Sequence, residues 1–173
     1  MRRLELYIAT SLDGYIAGRA DDISWLFHDG DYGYAAFYAG IDTVLLGRRT
    51  YATALALPEW PYAERNVVVF TRGGDLVVAS PNTVATSRAP AAVVADLRAR
   101  PGKDLWLVGG GELVRSCLDA GLIDDFIVSI HPLLLGEGVP LVAPGAARTP
   151  LVLVGERRFP SGLVQLTYRA DRA

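Results

Sequence analysis

The sequence is poor in several features that define large classes of proteins. Cys117 is the only cysteine among 173 residues, so the chain can form no internal disulfide and no cysteine-based zinc site. The formal net charge of −2 leaves no basic field for a nucleic-acid backbone. No apolar run approaches the roughly 20 residues that a membrane-spanning helix needs. We therefore expect neither a nucleic-acid partner nor a membrane span.

The beginning of the chain carries no sign of a targeting segment. Residues 1–3 include two arginines, but they lead directly into a strand-like pattern instead of an apolar signal sequence. We therefore expect a mature N-terminus and a cytoplasmic protein. A hydrophobic content of 51% excludes intrinsic disorder, and the length favours a single domain over residues 1–173.

Strand-like and helix-like segments alternate through the middle of the chain. The pattern predicts strands at residues 4–10, 42–46, 66–70, 76–79, 83–85 and 104–108. It predicts helices at residues 32–38, 48–55, 90–100 and 112–120. The last predicted strands are residues 125–131, 151–158 and 163–169, of which the final two form a hairpin. Because such alternation implies parallel pairing, we predict an α/β fold with a mixed, mostly parallel sheet flanked by helices and a C-terminal antiparallel hairpin.

Three of the predicted buried strands end in loops that contain glycine, arginine or both. The loops are residues 46–50 (LGRRT), 70–74 (FTRGG) and 108–112 (VGGGE). In open α/β sheets ligands bind beyond the carboxyl ends of the strands, and glycines, helix N-termini and arginines suit phosphate groups. Each loop alone is as consistent with an ordinary turn. Together they predict a site for a nucleotide with two separated anionic groups.

Two common phosphate-binding motifs are absent. The run Gly109, Gly110 and Gly111 lacks the third small residue of the dinucleotide fingerprint, because Val114 stands there, and it occurs late in the chain. The only lysine, Lys103, lies outside any P-loop pattern. The sequence therefore argues against a Rossmann dehydrogenase and a P-loop NTPase.

Other side chains are open to two interpretations. Asp13, in a turn after the first strand, either contacts a substrate or only accepts hydrogen bonds from nearby backbone. Trp25, Tyr51 and Trp60 either line a planar pocket or belong to the core. For His131 we predict neither metal binding nor base catalysis, because no supporting cluster surrounds it in the sequence. We predict a buried structural thiol for Cys117.

Five short stretches together resemble a known superfamily. They are residues 11–17 (SLDGYIA), 46–51 (LGRRTY), 70–72 (FTR), 107–113 (LVGGGEL) and 132–141 (PLLLGEGVPL). In this order they resemble the dihydrofolate-reductase-like superfamily. The branch they resemble most is the C-terminal reductase domain of the bifunctional riboflavin-biosynthesis deaminase/reductase. The resemblance covers essentially the whole chain.

The resemblance implies an NADPH-dependent reductase, often a homodimer, that acts on a small heterocyclic or carbonyl/imine substrate. Examples are the riboflavin-pathway 5-amino-6-(5-phosphoribosylamino)uracil reductase domain and dihydrofolate reductase. It implies cofactor contacts from Ala17, Gly47, Arg48, Thr50, Thr71, Arg72, Gly109, Gly110, Gly111, Glu112 and Leu113. The 2′-phosphate region of NADP would meet Thr71 and Arg72. Substrate contacts would come from Tyr15, Trp25 and Tyr51, and the proton from Asp13 or an ordered water.

The segment of residues 21–29 departs from the pattern of dihydrofolate reductases. Those enzymes carry a buried carboxylate there to engage the pterin, and no acid in this segment stands out as its equivalent. We therefore do not expect folate as the substrate, and we expect no metal. The alternatives are a non-catalytic NADP-binding or regulatory protein on the same fold, and a structural interaction protein without a defined pocket.

Overall fold

Eight strands form a central sheet in a computed structural model that describes residues 1–73 and 76–171. The strands of the chain are β1 (Leu4–Ser11), β2 (Tyr15–Ala17), β3 (Ile41–Gly47), β4 (Asn66–Phe70), β5 (Thr83–Thr86), β6 (Asp104–Gly109), β7 (Asp125–His131), β8 (Val139–Pro140), β9 (Leu151–Arg158) and β10 (Val164–Ala170). The helices are α1 (Tyr34–Ala39), α2 (Arg48–Leu55), α3 (Pro90–Arg98) and α4 (Gly111–Asp119), with a single 3-10 turn at Arg19–Asp21.

The order of strands across the sheet is β5-β4-β3-β6-β1-β7-β10-β9. Neighbouring strands from β5 to β7 are parallel, whereas β10 runs antiparallel to both β7 and β9. A separate small antiparallel sheet pairs β2 with β8. The prediction of an α/β fold with a mostly parallel sheet and a C-terminal hairpin is therefore confirmed.

The central strands are buried on both faces of the sheet. Because successive side chains of a strand point to opposite faces, Leu45 packs in one core while Val44 and Leu46 pack in the other. The first core includes α4 and contains Cys117, which is fully buried as predicted. Burial raises the pKa of the Cys117 thiol to about 12, so the thiol stays protonated.

Three local predictions need correction. Residues 76–79 form no strand, because β5 occupies the place beside β4 and leaves these residues without a pairing partner. The first helix begins at Tyr34 and not at Tyr32, since Tyr32 and Gly33 both have positive φ angles. The loop predicted over residues 132–145 contains β8, which pairs with β2 from far away in the sequence. Gly74, part of one predicted loop, lies outside the described residues.

Candidate active site

A cavity of about 970 Å³ opens at the carboxyl ends of β3, β4 and β6. The strand register brings these ends level, because Gly47 is opposite Phe70 on β4 and Leu46 is opposite Gly109 on β6. All three predicted loops therefore contribute to one cavity. Its lining includes the predicted cofactor residues Ala17, Gly47, Arg48, Thr50, Thr71, Arg72, Gly110, Gly111, Glu112 and Leu113. Gly109, at the end of β6, is not itself in this lining but stands between the lining residues Val108 and Gly110.

Two helices begin at the cavity with glycine as their N-cap residue. Gly47 precedes α2 and Gly110 precedes α4, and neither N-cap makes a side-chain hydrogen bond to its helix. The first backbone N–H groups of a helix have no partner within the helix, so both ends suit an anionic group. A side chain at Gly111 would overlap the carbonyl oxygen of Pro140. The glycine loop therefore holds α4 close to β8.

Four arginines and two carboxylates line the described part of the cavity; they are Arg48, Arg49, Arg72, Arg88, Asp21 and Glu112. Arg49 pairs with Asp21 at 2.7 Å, and Arg72 pairs with Glu112 at 2.7 Å. Arg88 pairs at 2.8 Å with Asp96, a residue of α3 outside the lining. Arg48 forms no ion pair with any described residue. It is therefore the arginine of this lining most readily available to a phosphate.

The sequence pattern also contained signals for site residues that we did not predict. Ser87 and Arg88 follow β5 and precede α3, so they repeat the arrangement of a strand end, a hydroxyl and an arginine. The hydroxyl of Thr50, a predicted residue, makes no hydrogen bond to a described residue and is free for a ligand. The strand-end rule that found the other loops could have found the Ser87–Arg88 pair.

The opposite end of the cavity is aromatic and was not predicted. Tyr7 from β1, Trp106 from β6 and Tyr62 from the segment between α2 and β4 line this end. The cavity lining as a whole also includes the aliphatic residues Ile23, Leu26, Ala54 and Leu57. Because the three aromatic residues come from distant parts of the chain, no local pattern in the sequence connects them.

The structure places the predicted substrate residues Tyr15, Trp25 and Tyr51 away from the described cavity lining. Tyr15 pairs with Pro140 in the small sheet, and Trp25 packs edge-on against His131 at 5.1 Å. Only 1% of Tyr51 is exposed, because it faces the sheet from α2, and its hydroxyl oxygen accepts a hydrogen bond from the backbone N–H of Ala79. These three side chains support the walls and do not form them.

Trp60 likewise belongs to the packing behind the cavity. Its ring contacts Tyr51 edge-on at 5.6 Å and Tyr62 at 5.2 Å. Neither Trp60 nor Tyr51 lines the described part of the cavity. The alternative that these residues belong to the core therefore describes their placement.

Asp13 lies outside the cavity lining and anchors a neighbouring loop. Its carboxylate accepts hydrogen bonds from the Ser11 hydroxyl at 2.6 Å and from the backbone N–H groups of Leu135 and Gly136 at 3.1 and 2.7 Å. The hydrogen bond from Ser11, followed by those from the backbone, lowers the pKa of Asp13. At neutral pH Asp13 is therefore an ionised acceptor of hydrogen bonds.

His131 is held in the protein interior. Its Nε2 accepts a hydrogen bond from the backbone N–H of Phe27 at 3.3 Å, and burial lowers its pKa. Within residues 1–73 and 76–171 there is no group of three or more His, Cys, Asp or Glu side chains that could hold a metal ion.

The whole chain can be compared with known families and structures. It matches the model of the RibD C-terminal domain over residues 2–165. The chain belongs to this family. This RibD C-terminal domain is 39% identical to the uncharacterised protein YwjB of Bacillus subtilis (strain 168), over 96% of the chain and 97% of the relative.

Solved structures confirm the fold of this RibD C-terminal domain. A protein of Shewanella sp. PV-4 named for riboflavin biosynthesis superimposes with a TM-score of 0.87 and 28% identity, over 98% of this chain and 99% of that one. Dihydrofolate reductase from Enterococcus faecalis gives a TM-score of 0.70 and 14% identity, over 98% and 96% of the two chains. The predicted membership of the dihydrofolate-reductase-like superfamily is confirmed. No helix in the described residues has the length and apolar character to cross a membrane.

Proposed function

We propose that this protein is an NADPH-dependent reductase that transfers a hydride to a carbonyl or imine carbon of a small substrate. The observation that carries the proposal is that one cavity joins an arginine-lined end, where two helices begin, to an aromatic end. Such a cavity suits a phosphorylated cofactor and a small ring at once.

The residues of the arginine-lined end fit the chemistry of NADP. Gly47, Arg48 and Thr50 would hold the cofactor at the start of α2, and the glycine loop would hold the pyrophosphate at the start of α4. Thr71 and Arg72 would meet the 2′-phosphate, since arginine binds phosphate oxygens in pairs. When bound, NADPH would supply the hydride, and the chain would supply orientation and exclude water.

We also propose that two copies of the chain pair through β9. This strand forms an edge of the sheet, and its four consecutive residues Leu151, Val152, Leu153 and Val154 are each between 41 and 50% exposed. An apolar edge strand favours pairing with another strand, and a second copy offers the same surface about a twofold axis. We further propose a cytoplasmic location, as we expected from the sequence pattern.

Cofactor titration tests the proposal. We expect NADPH to bind, and we expect Arg48→Ala and Arg72→Ala to weaken NADPH binding more than NADH binding, because only NADPH carries the 2′-phosphate. Arg100→Ala is the matched control, since Arg100 is exposed and does not line the cavity. The proposal fails if millimolar NADPH does not bind. Equal losses for NADPH and NADH would contradict the assignment of the 2′-phosphate.

The main alternative is a non-catalytic NADP-binding protein on the same fold. The aromatic end favours it in one respect, because its described lining contains no carboxylate or histidine to exchange a proton with substrate. NADPH oxidation measured against a panel of pterins, aminopyrimidines and small carbonyl compounds separates the two. Binding of NADPH without turnover of any member of the panel would favour the alternative.

A further inference from the structure

The aromatic end of the cavity has a defined geometry. The Trp106 ring contacts two tyrosine rings, with centroids 5.5 Å from Tyr62 and 6.2 Å from Tyr7. Both tyrosine rings are nearly perpendicular to it, at 82° and 87°. The Phe37 ring stacks on the Tyr7 ring with their centroids 4.2 Å apart, and this contact fixes the position of the Tyr7 ring. A ring entering here meets a rigid aromatic surface.

The hydroxyl of Tyr62 has no hydrogen-bond partner among the described residues. Only 6% of Tyr62 is exposed, yet its hydroxyl makes no hydrogen bond to any described residue. The Tyr62 hydroxyl differs from Trp60 Nε1 in its accessibility. Trp60 Nε1 is fully enclosed and has no hydrogen-bond partner among the described residues, whereas the Tyr62 hydroxyl is not fully enclosed. Since Tyr62 lines the cavity, a molecule in the cavity can reach this hydroxyl and satisfy it.

The hydroxyl of Tyr7 is held only weakly. It donates to the carbonyl oxygen of Tyr32 at 3.4 Å and accepts from Gln165 Nε2 at 3.5 Å, both near the limit of a hydrogen bond. The Gln165 amide has better partners in Ser129 Oγ at 3.0 Å and in the same Tyr32 carbonyl at 3.2 Å. Tyr7 can therefore turn its hydrogen bond toward a ligand at little cost.

Both phenols are neutral donors at physiological pH. Burial raises the pKa of Tyr62 and of Tyr7 above the ordinary value of a tyrosine. A neutral phenol donates one hydrogen bond, which suits a carbonyl oxygen or an imine nitrogen.

The charged residues that line the cavity make no direct contact with this aromatic surface. None of the four lining arginines or two lining carboxylates makes a ring contact or a hydrogen bond with Tyr7, Tyr62 or Trp106 in the described structure. Trp106 precedes Gly109 by three residues of β6, which places its Cα about 10 Å below the glycine loop along the strand. A charged group carried to this depth would lose its hydration and would meet none of the charged residues that line the cavity.

We propose that the substrate is a planar, uncharged carbonyl or imine compound that accepts a hydrogen bond from the Tyr62 hydroxyl, with the Tyr7 hydroxyl as a second donor. This inference rests on the proposed reductase function. Tyr62 is thereby a residue that determines substrate specificity. No lining arginine contacts this aromatic surface, and Arg157, whose charge acts on Tyr7, does not line the cavity, so the lining selects against substrates with an anionic ring substituent.

Binding of two matched probes tests the inference. Quinoxaline is a flat, uncharged heterocycle with imine-type ring nitrogens, and quinoxaline-2-carboxylate is the same ring with a negatively charged substituent. We expect the wild-type protein to bind quinoxaline at least about ten-fold more tightly, measured by calorimetry or by quenching of tryptophan fluorescence. Tyr62→Phe should weaken quinoxaline binding about five-fold, the value of one neutral hydrogen bond, and Tyr7→Phe should weaken it less.

Stability measurements separate ligand recognition from a structural role. Because the Tyr62 hydroxyl makes no hydrogen bond to a residue that the structure describes, Tyr62→Phe should leave the thermal unfolding midpoint unchanged or slightly raised. Tyr38→Phe is the matched control: Tyr38 contacts the same Trp106 ring, but its hydroxyl donates to the Pro61 carbonyl and it does not line the cavity. We expect this control to bind quinoxaline as the wild-type protein does.

Several results would overturn the inference. The inference fails if quinoxaline does not bind, or if the two probes bind with equal affinity. It also fails if Tyr62→Phe binds quinoxaline as the wild-type protein does, or if Tyr38→Phe loses as much quinoxaline affinity as Tyr62→Phe. NADPH is titrated separately into the same proteins. If NADPH binds and the probes behave otherwise than expected, this inference alone fails; if NADPH does not bind, the proposed reductase function fails.

Discussion

The ion pair between Arg72 and Glu112 places a carboxylate where we propose that a phosphate binds. The two side chains meet at 2.7 Å across the cavity, from the end of β4 and the start of α4. A phosphate that takes the Arg72 guanidinium must first displace Glu112. We therefore expect Glu112→Gln, which removes the charge and keeps the shape, to tighten NADPH binding.

The size of this effect follows from the exposure of the pair. The Arg72 side chain is 85% exposed and the Glu112 side chain 66%, so water screens their attraction. Two unit charges about 4 Å apart in water attract by about 1 kcal/mol, and exposed pairs contribute about 0.2–1 kcal/mol. Releasing Arg72 from Glu112 should therefore lower the Kd of NADPH by at most about five-fold.

The assay is a fluorescence titration of NADPH and NADH at low and high ionic strength. The gain should be larger for NADPH than for NADH, and it should shrink in about 1 M salt, where the Debye length is about 3 Å. Glu64→Gln is the control, because Glu64 is an exposed carboxylate beside Arg65 that does not line the cavity. Weaker NADPH binding in Glu112→Gln, or an equal gain in the control, would refute the reasoning.

Three further predictions concern stability and assembly. Burial, with Asp104 and Asp125 nearby, raises the pKa of the half-buried Glu5 to about 7, so the native state binds a proton that the unfolded state releases near pH 4.5. The free energy of unfolding should therefore fall as the pH rises from about 4.5 through 7. Glu5→Gln should reduce this fall when urea unfolding is measured at several pH values in that range, and an unchanged pH dependence would contradict this. Gly111→Ala should lower the unfolding free energy by about 1–3 kcal/mol, because its Cβ overlaps backbone, whereas Gly155→Ala meets only ordinary contacts and should be tolerated; equal midpoints would contradict this. Val152→Lys combined with Val154→Lys should convert a dimer to a monomer in light scattering, and a monomeric wild-type protein would overturn the pairing through β9.

The arginine-lined end of the site was predictable because its signals are local. Each loop joins a short apolar strand to glycine, arginine or a hydroxyl within about five residues, and the rule that ligands bind at the carboxyl ends of parallel strands applies to each loop separately. Arg88 was missed because the strand before it, β5, is short and contains no buried residue, whereas we applied the rule only to predicted buried strands.

The aromatic end could not be predicted in the same way. Tyr7 and Trp106 lie on adjacent strands although 99 positions separate them, and Tyr62 reaches them from an irregular segment. Tyr51 shows how sequence neighbours can be placed on different faces of a helix. It follows Arg48 and Thr50 closely in the sequence, but the helical turn directs it into the core while Thr50 and Thr53 line the cavity.

The amino-acid sequence alone determined the class of fold and the phosphate-compatible loops, because hydrophobic periodicity and glycine placement act over a few residues. It also determined that Cys117 is buried, since its position on the apolar face of α4 is a local property. Only the tertiary structure decided that Asp13 anchors a loop, that Arg72 faces Glu112, and that two tyrosines and a tryptophan meet at the other end of the cavity. Those facts depend on strand order and register, which bring distant residues together and which no local pattern encodes.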